Sequence, residues 1–234
     1  EIRNCDWSSD VCSSDLGDGI AMIEVNGQLC NRPGLLEMLC GMYPYEWLED
    51  LLEDAMEANV RGIMLELDSP GGVCEGMIEC GDLIAEIARK IPVVCYSDAM
   101  ACSAAYSLAS NCRKIYGSVG STWGSIGTIV NFYDESAMYA AQGIKWDPIT
   151  NAEGTAKGAL MGPNLTSAQR MSIQQLVQDT FNQFREMVLR SRAVPDSAMN
   201  GAPFLAPRAL ENNLIDGILT EDLAYEKLLA LVNK

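Results

Sequence analysis

Ser103 sits among small residues in the stretch Ser97–Ser110, SDAMACSAAYSLAS, straight after the apolar run IPVVCY from Ile91 to Tyr96. This pattern predicts a buried strand, a tight turn and a helix starting near Cys102 or Ser103. Ala101, Ala104 and Ala105 allow a sharp backbone bend and leave space beside the hydroxyl for another molecule. The N-terminus of that helix would offer free N–H groups and partial positive charge to a developing oxyanion. Nucleophilic attack is the chemistry such a serine could perform. A helix N-cap is the plain alternative for the same residue.

Histidine is absent from all 234 residues. Ser-His-Asp and Cys-His mechanisms are therefore excluded, and any base for Ser103 must be Lys, Asp, Glu or another non-imidazole group. Lys157 stands in a loop of small residues beside Gly154 and Gly158. A lysine buried in an apolar cleft can lose its proton near neutral pH and serve as a general base, whereas an ordinary loop lysine is solvated. Asp68-Ser69-Pro70-Gly71-Gly72 follows a candidate strand and precedes a candidate helix. Its glycines could turn backbone N–H groups into a cleft as an oxyanion hole, although Pro-Gly-Gly is foremost a turn.

The elements that must position these residues alternate along the chain. Strands are expected at Ile20–Val25, Gly62–Asp68, Ile91–Tyr96, Lys114–Tyr116, Thr128–Phe132 and near Ile215–Leu219. Helices are expected at Tyr45–Asn59, from about Glu75 to Arg89, at Asp134–Gln142, Thr166–Arg192, Pro207–Asn212 and Glu221–Val232. Thr166 or Ser167 is the expected cap of the longest helix. Leu29–Pro44, the Gly/Ser-rich Gly117–Gly127 and the patternless Asn151–Asn164 are read as loops, and Ile144–Thr150 as extended. The alternation argues an α/β domain with largely parallel pairing over residues 17–234. Residues 1–16 are polar and without period, and are read as an extraneous extension whose Cys5 and Cys12 carry no role.

Composition narrows the class of function. With 16 basic and 32 acidic residues the formal charge is −16, which should repel nucleic acid and anionic membranes. No apolar run approaches the ~20 residues of a membrane helix, and no basic-then-apolar leader opens the sequence, so a cytoplasmic protein is expected. Nine cysteines without a C-x-x-C pair and without histidine give no zinc pattern and suit free, buried thiols. No metal and no cofactor is expected; neither a G-x-G-x-x-G nor a Walker loop is present.

In their order, DSPGG at Asp68–Gly72, the small-residue-flanked Ser103 followed by Tyr106, GSIG at Gly124–Gly127 and the Gly-x-x-Lys-Gly of Gly154–Gly158 resemble the S49 peptidase family. That family comprises signal-peptide peptidase A-like proteins and phage capsid-assembly proteases of the protein C type. The later phrases GIKWDPIT and ALENNLIDGI are similar as well, so the resemblance runs from about Ile20 to Leu219. It implies a ClpP/crotonase-like fold of repeated ββα units and a Ser-Lys dyad. Ser103 would be the nucleophile, Lys157 the general base, and Ser125 the serine that hydrogen-bonds the lysine. Gly72 and Ser103 would supply oxyanion N–H groups, with Gly71 and Ala104 in contact with substrate. Two departures from the family pattern are visible: Cys102 stands where Ala or Ser is usual, and the Lys157 loop is longer and lacks the usual Gly-Lys-x-Lys phrasing.

The resemblance also implies a polypeptide substrate and a homo-oligomer. The missing leader favours a phage-type protease of scaffold, capsid or portal proteins, in the host cytoplasm or prohead interior, over an envelope enzyme. A cytosolic signal-peptide-peptidase-like protease, a capsid-assembly component with a decayed site, and a crotonase-like acyl-CoA enzyme are the alternatives.

Overall fold

The computed structural model describes residues 18–32, 34 and 39–234. The extension expected at residues 1–16, and part of the Leu29–Pro44 loop, lie outside the described residues. Two compact units divide the chain: one holds the residues through Gly127 together with Gln183–Lys234, the other Thr128–Asn182.

The first unit is built on a five-stranded, all-parallel sheet. Its strands are β1 (Ile20–Asn26), β4 (Gly62–Asp68), β5 (Val93–Ser97), β7 (Lys114–Gly117) and β10 (Gly217–Ile218), laid side by side in the order β1-β4-β5-β7-β10. The interior strand β4, GIMLELD, reads as a nearly unbroken apolar run because a parallel strand is covered on both faces. β1 pairs with it residue for residue, from Ile20 opposite Gly62 to Asn26 opposite Asp68.

Smaller strands follow the long ones. After β1 come β2 (Leu29–Cys30) and β3 (Tyr43–Pro44), a parallel pair. After β5 comes β6 (Met100–Cys102), and after β7 comes β8 (Thr122–Gly124). β6 and β8 are parallel, and β9 (Pro203–Leu205) joins β8 antiparallel to complete a second sheet, β6-β8-β9. A helix then closes each turn of chain: α1 (Tyr45–Glu57), α2 (Met77–Lys90) and α3 (Ala104–Ser110). The expected ββα repetition is visible in this order, and the α/β class is as expected.

Apolar stripes dock the helices. In α1, Tyr45, Leu48, Leu52 and Ala55 are buried, while Glu46, Asp50, Glu53, Asp54 and Glu57 stay exposed. Each fully buried leucine contributes about 1.5–3 kcal/mol. The C-terminal part adds α6 (Ala206–Glu211) and α7 (Glu221–Val232). Ala224 and Leu228 of α7 pack on Ile20, Met64, Val94 and Tyr96, one face of the parallel sheet. α3 is buried along its whole length, and Tyr106 donates its hydroxyl proton to the Leu214 carbonyl at 2.9 Å.

The second unit contains α4 (Ser136–Ala141) and the first part of the long α5 (Ser167–Ser191), which ends in the first unit. Thr128 donates its hydroxyl proton to the Val177 carbonyl at 2.7 Å. α5 opens with a reciprocal capping box. Thr166 Oγ1 accepts the Gln169 N–H at 3.2 Å, and Gln169 Oε1 accepts the Thr166 N–H at 2.9 Å, so Thr166 is the cap. Pro163 apart, none of the unit's apolar side chains is buried.

Several expectations change, among them the Leu29–Pro44 loop, which contains β2 and β3. Gly117–Gly127 contains β8 instead of being loop throughout, because Trp123 is fully buried and donates its Nε1–H to Ser121 Oγ at 2.7 Å. β6 was not foreseen. Thr128–Phe132 is not a strand: Ile129 and Val130 are exposed, and β-propensity without a partner edge makes no ladder. Ile144–Thr150 likewise pairs with no strand among the described residues.

Candidate active site

Ser103 stands between β6 and α3 with φ 53° and ψ −124°, a backbone region that side chains other than glycine's rarely enter. An ordinary N-cap is extended and turns its side-chain oxygen onto the helix; Ser103 Oγ makes no capping hydrogen bond. Within Ala101–Ser110 it is the one residue that is not buried. A strained strand-to-helix turn that lifts a serine hydroxyl out of the backbone is the geometry of a nucleophile elbow.

The elbow is held from two sides. The Ser103 N–H donates to the Gly124 carbonyl at 2.7 Å, the last rung of the β6–β8 ladder, and the Ser103 carbonyl accepts the Ser107 N–H at 3.0 Å. From the other side Gly71 presses on it. A Cβ built at Gly71 would lie 2.6 Å from Ser103 Cβ, 2.7 Å from the Cys102 oxygen and 2.9 Å from the Ala104 nitrogen. Gly71 also has φ +100°, so two independent constraints require glycine there.

Gly72 pairs with Leu29 in a single parallel bridge. Its neighbours make the bonds: the Leu29 N–H donates to the Gly71 carbonyl at 2.9 Å, and the Val73 N–H donates to the Leu29 carbonyl at 3.0 Å. In that pattern the N–H and C=O of Gly72 itself point to the opposite edge. The Gly72 N–H is thus turned away from Leu29, as an oxyanion donor requires.

One implied role does not survive. The Ser103 N–H, expected as the second oxyanion donor, is already bonded to Gly124, and a donor so engaged is not free for substrate. The next N–H along the chain belongs to Ala104, the first residue of α3, where no intrahelical acceptor exists.

Ser125 has φ 50° and follows Gly124, which has φ +93°. Its N–H donates to the Ala202 carbonyl at 3.0 Å and its hydroxyl to the Gly201 carbonyl at 3.2 Å, leaving the oxygen lone pairs as acceptors. Ser103, Gly71, Gly72, Ala104 and Ser125 all belong to the first unit.

Lys157 belongs to the second unit, and its side chain is exposed. Its backbone is fixed: the N–H donates to the Gly154 carbonyl at 2.9 Å, and the carbonyl accepts Gln169 Nε2 at 2.9 Å. The α5 capping box therefore reaches back to the lysine loop. The Thr166-x-x-Gln169 spacing signals the capping box, whereas its contact with the Lys157 carbonyl has no local signal.

Cys102, beside the serine, is a buried thiol whose Sγ lies 3.7 Å from the Thr122 carbonyl. Burial pushes its pKa up to about 11, so it is protonated at neutral pH and is a poor nucleophile. A cavity of about 800 Å³ is lined by residues such as Asp82, Arg89, Arg113 and Arg190, and none of the expected site residues borders it.

The chain is similar to several known proteins. Head-tail preconnector protein GP5 of Enterobacteria phage P21 is 29% identical over 220 residues, 92% of this chain and 44% of that protein. Capsid assembly protease C of Escherichia phage lambda is 33% identical over 129 residues, 55% of this chain and 29% of that protein. The chain thus spans less than half the length of either relative. A solved structure of the 1510-N membrane-bound stomatin-specific protease aligns with 89% of this chain and 78% of its own, at 17% identity and a TM-score of 0.49. The model of Peptidase family S49 matches residues 85–233, more than half of the chain and inclusive of Ser103, Ser125 and Lys157. The chain belongs to peptidase family S49.

Proposed function

We propose that this protein is a serine endopeptidase that works through a Ser103–Lys157 dyad and processes the proteins of a phage prohead. The observation that carries the reading is the backbone of Ser103: a strained elbow, uncapped, with its hydroxyl left accessible. Neutral Lys157 takes the Ser103 proton as Oγ attacks the scissile carbonyl carbon. The oxyanion is received by the N–H groups of Gly72 and Ala104. The C–N bond then breaks, and the lysine ammonium returns its proton to the leaving amine. Water attacks the acyl-enzyme as Lys157 takes one of its protons; the Oγ–acyl bond then breaks, Lys157 returns that proton to Ser103 Oγ, and the new acid leaves and ionises to its carboxylate. Ser125, whose oxygen can still accept a hydrogen bond, orients Lys157.

A lysine serves as a base only when removed from water, and Lys157 is exposed. The reading therefore has bound substrate or a neighbouring copy cover it. The uncovered apolar side chains of the second unit, among them Ile149 at 97% exposure, support a homo-oligomer. The prohead setting, inside host cytoplasm or capsid shell, rests on the two phage relatives, one a capsid assembly protease by name.

Cleavage of fluorescent casein and labelling by a fluorophosphonate probe test the dyad. Ser103→Ala should abolish both, and Lys157→Ala should lower kcat by at least about a thousandfold. Undiminished casein cleavage by Ser103→Ala would refute the assignment. The exposed Lys157 favours a second reading, an assembly component without activity, which predicts a folded, associating chain that the probe does not label.

A further inference from the structure

Ser69 has no role in the chemistry above, yet it touches both halves of the site. It is fully buried. Its N–H donates to the Met100 carbonyl at 2.8 Å and its carbonyl accepts the Cys102 N–H at 3.1 Å, so its backbone is stitched to β6 on either side of Ala101. Its side chain turns the other way along the chain: Ser69 Oγ accepts the Gly71 N–H at 3.2 Å. A serine bonded to the N–H two residues on forms a local turn, and here it spans Pro70, which has no N–H of its own.

The Leu29 bridge holds the turn from the Gly71 carbonyl onward, and the Ser69 hydroxyl holds it at the Gly71 N–H. Gly71 and Gly72 are adjacent glycines with the widest conformational freedom of any residues. Gly71 must keep φ +100° to stay clear of Ser103, and Gly72 must keep its N–H turned from Leu29. The Leu29 bridge helps to meet the second condition, and both also depend on where the Gly71 N–H is held.

We propose that Ser69 is a positioning residue, whose hydroxyl sets the Pro70-Gly71-Gly72 turn and so aims the Gly72 N–H at the carbonyl that Ser103 attacks. The inference rests on the reading of Ser103 as the nucleophile and of Gly72 as an oxyanion donor. Ser69 makes no contact with substrate; it acts through Gly71. Its backbone ties the turn to the nucleophile strand, and its side chain orients the turn upon that strand.

The test uses the full chain with two variants at Ser69 and one at Ser103. Ser69→Ala removes the acceptor. Ser69→Cys keeps the volume and a weak acceptor. The comparison is with Ser103→Ala, and the readouts are kcat and KM on fluorescent casein, the rate of fluorophosphonate labelling, and the thermal midpoint. Misplacement of a donor by a fraction of an ångström predicts a kcat lower by about tenfold to a hundredfold in Ser69→Ala, with KM within about twofold. Labelling should slow in parallel, Ser69→Cys should fall between, and all variants should melt as folded proteins. Ser69→Ala labelled at the wild-type rate overturns the proposal. So does a loss of activity that merely follows a loss of folded protein. If the wild type is neither active nor labelled, the nucleophile reading fails first and the proposal falls with it, whereas a labelled wild type with an unaffected Ser69→Ala leaves the nucleophile standing and removes only Ser69.

Discussion

Ser103 holds a conformation that costs on the order of 1–3 kcal/mol, and several neighbours over-determine it. Gly124 binds its N–H, Ser107 binds its carbonyl, and Gly71 leaves the volume it needs. The same crowding gives a sharp prediction at Gly71. Gly71→Ala would force a methyl to within 2.6 Å of Ser103 Cβ at a φ that alanine resists. Stability in urea should fall by about 2–3 kcal/mol, and casein cleavage should fall more steeply than the folded fraction. An alanine variant as stable and active as wild type would show that the contact does not exist in solution. Cys102 makes the converse point, since burial keeps the more reactive atom type protonated while the serine next to it reaches solvent.

Strand β4 carries its own titrating group just before the Asp68–Gly72 turn. Glu66 lies opposite Glu24 of β1 and Tyr96 of β5, and Glu66 Oε1 is buried without a hydrogen-bond partner. Burial first, then the nearby Glu221 of α7, Glu24 and Asp98, push its pKa up to about 7. A carboxyl raised above its unfolded value of 4.5 contributes stability that is complete below that value and is lost as pH rises through 7. Glu66→Gln should therefore melt like wild type at about pH 4 and be more stable by about 1–2 kcal/mol at about pH 8, the partial exposure of the group having been discounted. Equal pH dependence in both proteins would place the titration elsewhere. Asp216 shows the opposite sign. Its burial would raise it, but Lys114 at 2.9 Å, Arg192 at 2.8 Å and the Ile115 N–H hold it below the usual carboxylate range.

For the whole molecule, the formal charge of −16 opposes self-association, and only a substantial apolar surface could overcome it. Ile129, Tyr133, Ile149, Met161 and Met171 in the second unit are each at least 70% exposed. If that surface joins copies of the chain, light scattering should find an oligomer. The double variant Ile149→Asp, Met161→Asp should dissociate it with little change in the thermal midpoint of the first unit. A wild type that remains monomeric at high concentration and high salt would rule this out.

The long elements were legible because their periodicity is local. β4 over Gly62–Asp68 and α7 over Glu221–Val232 coincide with their expected bounds, and the missing histidine excluded an imidazole base without any coordinates. Ser103, Gly72 and Lys157 could be singled out by residue type and order. The three-residue strands β6 and β8 could not, since a strand that short exists only through partners distant in sequence. For the same reason the β-branched run at Thr128–Phe132 misled: its composition suits a strand, but among the described residues no partner edge pairs with it. The backbone of Ser103, the engagement of its N–H by Gly124 and the reach of Ser69 to Gly71 are all consequences of those non-local pairings. Sequence alone determined which residues could do the chemistry; the tertiary structure decided which N–H groups are free to assist, because hydrogen bonds to distant carbonyls remove donors that local pattern leaves available.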